Sequence, residues 1–479
     1  MSIPAYSDAV LSAAAMLAAV VIGAGALQNA IYLVQLLIAQ RTLAADPPEP
    51  RASVVWRRSA ALAPPIAILA PAFNEAATIE NSTRSLLALE YSDFEVVVIN
   101  DGSRDATFNV LREAFALEPV ERDYEAALAH APIRAVYRSA THGRLIVIDK
   151  ENGGKADALN AGLNLALAPI VCSVDADSVL ESDALIRSVQ PFIEDPERVV
   201  AVGGTVRVAN GCVIENGKIV DVGVPRNFWA RLQAVEYLRS FLLARLAWSR
   251  VGAPTIVSGA FGLFRRSVVM EVGGYAHGTV GEDMELVVRL HRHFHERGEP
   301  YRIEYVPEPV CWTEAPETLS ALARQRSRWH RGALETFFRH RKMLFNPRYG
   351  RAGFVGLGQV LLFDVVGPVL ELAGYVLMPL MWGLGVLAWD YFFAYLAVTF
   401  ALGVAISVGA LAIEEAELHR FPKVGDLIAL SFAAVVENFG YRQLNSLWRL
   451  QGGWQWIRGV SAWGEMTRKG FTGVRAAKR

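Results

Sequence analysis

From residue 9 to residue 40 the sequence contains no Asp, Glu, Lys or Arg, and this uncharged run does most to limit how the chain can fold. About 20 apolar residues cross the hydrocarbon core of a bilayer. The run, with Leu11, Met16, Val20, Ile31 and Leu36 along it, therefore predicts a transmembrane helix over residues 9–40. It is longer than the apolar core of a signal peptide and lacks the basic residues that precede one. Arg41, Arg51, Arg57 and Arg58 follow it. By the positive-inside tendency they hold its carboxyl side in the cytoplasm and turn the amino terminus outward. Hydrophobic residues make up 53% of the 479-residue chain and gather toward its two ends, so a soluble middle between membrane anchors is expected.

A second apolar region covers residues 353–413, interrupted by Pro368, Pro379 and the aromatic group at 389–392, and two spans fit it most simply. A third stretch, 427–447, carries Glu437, Asn438, Tyr441 and Arg442. It can be a span, a re-entrant segment or an interfacial helix. If every segment crosses, the basic tail with Arg458, Arg468, Lys469, Lys478 and Arg479 ends outside, against the charge tendency. Residues 353–450 are thus expected to be membrane or interfacial chain, and 451–479 a basic cytoplasmic tail.

Between these regions, the prolines at 47, 48 and 50 make a stiff linker. A soluble domain is expected over residues 64–340. Short apolar runs at 66–70, 95–100, 146–148, 170–174 and 199–202 alternate with helical patterns such as 76–89 and 155–167, which predicts an α/β domain with a parallel sheet flanked by helices. The net charge of −1 asks for no nucleic-acid partner. Cys172, Cys212 and Cys311 are each isolated, which argues against a zinc site or a disulfide framework. His291, His293 and His295 stand in helical register and point to different faces, so no metal site is expected there either.

Several strand ends carry polar chemistry. Pro71-Ala72-Phe73-Asn74-Glu75 follows the first apolar run, where ligands bind in open α/β sheets, although any strand-to-helix turn favours such residues. The next run ends in Asn100-Asp101-Gly102-Ser103, which an ordinary Asx turn explains equally well. Asn152-Gly153-Gly154-Lys155 opens a helix and suits a diphosphate, since glycines expose backbone N–H groups and the lysine adds charge; it lacks Walker spacing. Val171–Val174 runs into Asp175-Ala176-Asp177, whose alternate carboxylates can converge on a divalent cation, although most such triplets are solvated turns.

The order of these motifs resembles that of family-2 glycosyltransferases, specifically the membrane polysaccharide synthases that make cellulose, chitin, hyaluronan and poly-N-acetylglucosamine. The likeness covers roughly residues 64–332 and rests on Asp101, the Asp175/Asp177 pair, Gly281-Glu282-Asp283, and Gln325-Arg326-Ser327-Arg328-Trp329, which fits Gln-x-x-Arg-Trp. It implies a GT-A-type, Rossmann-like cytoplasmic catalytic domain with amino- and carboxyl-terminal transmembrane helices in a bacterial-type inner membrane. It also implies an inverting, processive transferase with Asp283 as catalytic base. Pro71, Asn74, Glu75, Asp101 (at the uracil), Lys155, Asp175, Gln325, Arg328 and Trp329 would attend the UDP-sugar. Ser258, Gly259, Phe261, Glu282 and Trp329 would meet the acceptor, with Phe261 as a sugar platform, although a glycine-rich turn with a core phenylalanine explains 258–262 equally well. Asp177 would hold Mg2+ or Mn2+.

Inverting transfer makes a matching chemical demand, for a single carboxylate to deprotonate the acceptor hydroxyl while a cation stabilises the departing diphosphate. UDP-N-acetylglucosamine is the favoured donor. The alternatives are a cellulose-like synthase using UDP-glucose, or a non-processive transferase to a lipid-linked acceptor. The growing polysaccharide, membrane lipid and a small accessory membrane subunit are the implied partners. A transporter with a degenerate nucleotide-binding domain is the rival from another class, and the retained Asp283 argues against it. Residues 206–257 depart from the pattern with a hairpin at 212–219 and an arginine- and aromatic-rich helix at 228–250 suited to the membrane surface. The arginines from Arg324 to Arg341 form a basic juxtamembrane helix that can also face anionic lipid.

Overall fold

The computed structural model describes residues 8–45, 52–215, 217–418 and 423–460. The 46–50 linker, Asn216 at the hairpin turn, and the tail residues Arg468, Lys469, Lys478 and Arg479 lie outside the described residues.

The apolar runs become strands β1 (Ile66–Ala72), β2 (Phe94–Asp101), β3 (Leu117–Pro119), β4 (Ile133–Ser139), β5 (Leu145–Lys150), β6 (Ile170–Val174), β7 (Ser178–Leu180) and β8 (Val199–Val208). After them come β9 (Val213–Glu215), β10 (Lys218–Asp221), β11 (Phe261–Arg265) and β12 (Arg302–Thr313). Ten of the strands form one sheet in the order β3-β4-β5-β2-β1-β6-β11-β8-β12-β7, and β9 with β10 makes the expected hairpin. The sheet is mixed, which corrects the all-parallel expectation. Strands β5, β2, β1 and β6 are mutually parallel, but β4 runs against β5, and β11 runs against both β6 and β8. A strand buried on both faces is a continuous apolar run whichever way it points, so direction leaves no trace in the pattern.

Alternate residues of the central strands feed two cores. Ile66, Ile68, Val96, Val98 and Val147 join Ile79 and Leu86 on one face. Ala67, Leu69, Val97, Ile99 and Ile148 join Leu159 and Leu163 on the other. The helices that cover these faces span Ile79–Leu87 and Lys155–Leu165, shorter than the patterns suggested.

Four helical stretches are long and apolar enough to cross a membrane: Asp8–Ala45, Ala352–Gly383, Trp389–Ala416 and Val424–Ile457. The last bends at Phe439 and Gly440, where φ is −112° and 95°. Both of its ends rest on the sheet domain. Lys423 Nζ pairs with Asp221 Oδ2 of the hairpin at 2.7 Å, and Trp456 stacks on Phe338 with ring centroids 4.6 Å apart. A straight crossing would separate those ends by about 50 Å, at 1.5 Å per residue.

The helical run 228–251, with a π-helical middle at Leu238–Arg245, lies between the sheet and the apolar helices. Leu232 and Val235 pack on Leu430 and Ala433, while Leu242, Leu243 and Leu246 pack on Ala39, Leu43, Ala410 and Ile413. The amphipathic stretch read from the sequence is thus the seam between the two halves.

Among the described residues no group of three or more His, Cys, Asp or Glu converges as a metal site. Within the Glu282–Arg297 helix, His291 is buried, with Nε2–H donating to Pro254 O at 2.6 Å and Nδ1 accepting from Tyr301 Oη at 2.5 Å. Burial, with a smaller repulsion from His295, pushes its pKa down from 6.5 to about 4. The neutral ring therefore contributes stability that is complete above pH 6.5 and fades as pH falls toward 4. Between pH 7 and pH 5 the detergent-solubilised chain should lose about 2 kcal/mol through this group. His291→Gln should flatten that part of the thermal-unfolding profile. An identical pH slope in the variant would remove His291 as its source.

Candidate active site

The parallel strands β1, β2, β5 and β6 end on one side of the sheet, and their loops form the rim of a cleft. The loop after β1 is clamped to the loop after β2. Asn74 adopts φ 56°, its N–H donates to Ser103 Oγ (3.0 Å), and its Oδ1 accepts from the Arg104 N–H (2.8 Å). The Glu75 N–H donates to Thr107 Oγ1 at 2.8 Å, and its carboxylate accepts from Thr78 Oγ1 at 2.8 Å. Pro71 stands half-buried at the strand end.

Asp101 is surrounded by protein donors. Its Oδ1 accepts from Lys150 Nζ (2.6 Å) and the Gly153 N–H (3.0 Å), and its Oδ2 accepts from the Gly154 N–H (2.8 Å) and Asn152 Nδ2 (3.1 Å). A carboxylate offers about four lone-pair sites, so protein donors fill this one. Lys150, fully buried, also pairs with Asp157 at 2.5 Å and donates to Glu151 O at 2.6 Å. Asp101 thus shapes the Gly153–Gly154 turn from behind, and Lys150 and Asp157 are members of the site that sequence reasoning missed. An apolar strand ending in lysine gives no sign of a partner 49 positions away.

On the open side of that turn Lys155 begins its helix. Its Nζ lies 2.6 Å from Asp175 Oδ1 and 3.1 Å from Glu282 Oε1. Burial disfavours the ammonium, yet Asp175, Glu282 and Asp283 together hold its pKa above the ordinary lysine value. Burial also raises the Glu282 carboxyl, and Lys155 draws it back. Asp283, in the first turn of the Glu282–Arg297 helix, is fixed by two backbone donors, with Oδ2 accepting from the Gly259 N–H (3.0 Å) and Oδ1 from the Met284 N–H (2.8 Å).

A Cβ on Gly259 would stand 2.6 Å from Lys155 Nζ, so a side chain here would displace the tip of the lysine. Ser258 beside it is half-buried. Phe261 is not a sugar platform. It is fully buried in β11, against the core that holds Val174 and Val310, because strand alternation turns it inward.

The Gln-x-x-Arg-Trp sequence lies on the helix Leu319–His340. Gln325 is buried and its Oε1 has no partner among the described residues, Arg328 is half-buried, and Trp329 is 41% exposed with the Arg326 guanidinium 4.5 Å above its ring. His330 is held neutral by burial and by Arg449, its pKa pushed down to about 3. Arg326 is no lipid contact: it is buried and paired with Glu236 of the seam helix at 2.8 Å, and Arg331 is buried as well.

This helix presses directly on the Asp283 loop. A Cβ on Gly332 would stand 2.8 Å from Gly281 Cα, and Glu335 Oε2 accepts from Thr279 Oγ1 (2.8 Å) and the Val280 N–H (3.0 Å). Gly332→Ala should therefore part the two segments and shift Asp283. About a hundredfold loss of kcat/KM is expected, since an error of roughly 1 Å costs that much. An active Gly332→Ala enzyme would show that the contact is dispensable.

Asp177 is buried just past β6, and Asp175 already shares an oxygen with Lys155. A lone pair of carboxylates at a strand end is a poor all-protein cage, but it suits a Mg2+-type ion that keeps waters and takes its remaining ligands from phosphate oxygens.

Residues 170–413 match the family described as "Glycosyl transferase family group 2". The poly-beta-1,6-N-acetyl-D-glucosamine synthase of Staphylococcus aureus (strain COL) is 31% identical over 275 residues, and that of Staphylococcus epidermidis is 29% identical over 274. Each alignment covers 57% of this chain and 56% of the relative, so the match spans little more than half the length of those proteins. Among solved structures, a mannosyltransferase from Pyrobaculum calidifontis in complex with GDP-Man and Mn2+ aligns with a TM-score of 0.52 at 17% identity, covering 94% of this chain and 99% of that one. That likeness is one of fold, and it agrees with a GT-A-type domain. The family match extends from the β6 strand that delivers Asp175 to the third apolar helix, and the chain belongs to the glycosyl transferase family group 2.

Proposed function

We propose that the protein is an inverting, processive glycosyltransferase that polymerises UDP-N-acetylglucosamine into a β-linked exopolysaccharide at the inner membrane of a bacterial-type cell. The observation that carries this reading is the placement of Asp283. Two backbone N–H groups hold its carboxylate at a helix start, beside a lysine and two further carboxylates, and against the helix that bears Gln325, Arg328 and Trp329. The synthases of the two Staphylococcus species support N-acetylglucosamine as the sugar.

Asp283 then takes the proton of the acceptor hydroxyl as that oxygen attacks the anomeric carbon and the bond to the diphosphate breaks. Lys155 and the N-terminus of its helix receive the negative charge of the diphosphate. Gln325 Oε1 and the exposed face of Trp329 meet sugar hydroxyls and a sugar ring. A divalent cation held by Asp177 and Asp175 supplies charge neutralisation at the departing diphosphate when bound. The mannosyltransferase complex with Mn2+ supports a divalent ion of this kind.

The membrane reading places the sheet domain in the cytoplasm, with Asp8–Ala45, Ala352–Gly383 and Trp389–Ala416 crossing and the bent Val424–Ile457 returning to the side it left. An odd number of crossings leaves the basic tail inside, in keeping with the charge tendency.

Carbonate-washed membranes offered UDP-N-acetylglucosamine and UDP-glucose separately should consume the first and yield a polymer. A product of one added sugar would overturn processivity, and consumption of UDP-glucose alone would overturn the donor. Asp283→Asn should lower kcat by roughly a hundredfold or more while leaving UDP affinity nearly unchanged; full turnover would remove it as the base. Asp177→Ala should weaken donor binding only when Mg2+ or Mn2+ is present. Turnover by the parent in excess chelator would refute the cation site.

A further inference from the structure

A cavity of about 420 Å3 lies away from this cleft. It opens beside His291 and His295, roughly 12–18 Å along the Glu282–Arg297 helix from Asp283. Its other walls are the end of the seam helix at Ser249–Gly252, the start of β12, and Arg351. Arg351 immediately precedes the Ala352–Gly383 helix, and a Cβ on Gly356 in that helix's first turns would stand 3.2 Å from Ala253 O. The seam helix reaches the Asp8–Ala45 helix through Leu246 and Leu43. The cavity therefore sits where two apolar helices meet the sheet domain.

Three arginines line it. Arg302 is satisfied by Glu304 at 2.5 Å and Asp195 at 3.5 Å. Arg250 and Arg351 are exposed, and neither makes an ion pair with a described residue. Arg351 is steadied by donating from Nη1 to Val251 O at 3.3 Å. The histidines add no charge at neutral pH, since burial lowers the pKa of both. Glu304 is the one acid on the wall, and Arg302 and Ser249 already engage it. The walls thus present two uncompensated guanidiniums, a geometry suited to a phosphate.

We infer that this cavity seats the phosphate head of an anionic phospholipid from the leaflet on the sheet-domain side. The inference rests on the reading of Ala352–Gly383 as a membrane span. Where a chain enters a bilayer, headgroup phosphate is the anion at hand, and each basic residue near such a surface strengthens lipid attraction.

The test uses the full-length chain in nanodiscs of phosphatidylcholine with or without phosphatidylglycerol, and native mass spectrometry of retained lipid. The parent should retain phosphatidylglycerol over phosphatidylcholine by roughly thirtyfold, the combined effect of two charges. Arg250→Gln with Arg351→Gln should bring the ratio near parity, while the lysine pair Arg250→Lys with Arg351→Lys keeps most of it. Equal preference in the parent and the glutamine variant, with both unfolding at one temperature, overturns the site. Displacement of the retained lipid by millimolar inorganic phosphate overturns the lipid as its source. Release of the parent chain from membranes by carbonate is a separate result and sinks the membrane reading beneath the inference.

Discussion

Asp175, Glu282 and Asp283 can share one buried cleft because the ammonium of Lys155 stands among them. Without it, three acidic side chains would face one another with no counter-charge between them. With it, the lysine stays charged although buried. The arrangement also suits exchange. A diphosphate that takes the ammonium frees Asp175, so nucleotide and metal chemistry would be met by rearranging partners already in place. Five residues earlier Lys150 does the opposite work behind the Gly153–Gly154 turn, where it binds Asp101 and Asp157 and lets nothing exchange. One lysine fixes the loop and the next one serves it.

Much of this was legible because the chemistry lies in consecutive residues at strand ends. Asp175 and Asp177 follow an apolar run, and Lys155 follows two glycines, so sequence alone placed them on one rim. What stayed hidden depends on partners distant in sequence. The family resemblance assigns Asp101 to the donor base, and its four protein donors, among them Lys150 and Gly154, are invisible until the chain folds. The family resemblance places Phe261 at the acceptor, but the strand starts at that residue and turns it inward, as the core-phenylalanine alternative has it. Nothing in the sequence pairs Gly281 with Gly332, and only their mutual approach shows that a Cβ on either would meet the backbone of the other.

The membrane half shows a similar division. Length and lack of charge identified the first three apolar helices, since those properties are local. The fourth stretch could not be read, because its polar residues suit a span, a re-entrant segment or an interfacial helix equally well. Its fate is decided by contacts: Tyr441 donates to Glu236 at 2.6 Å and lies 3.4 Å from Arg326, so the bend at Phe439–Gly440 delivers it to a buried ion pair of the seam. Removing one member of such a pair leaves the other charge buried and uncompensated, at a cost of about 3–5 kcal/mol.

The helix bearing Gln325, Arg328 and Trp329 is covered along one side by Arg442–Ile457, more than a hundred residues later in the chain. Ser327 Oγ donates to Trp448 O at 2.9 Å, and Gly452 lies so close that a Cβ there would meet the Ser327 backbone. Cutting the chain after residue 340 would strip this cover, leave Phe338 without Trp456, and take Tyr441 from Arg326 and Glu236. The sheet domain therefore cannot be detached at this point with its motif helix intact. That helix is completed only by Arg442–Ile457, so assembly of the cleft waits until this distant segment has been made and packed against it.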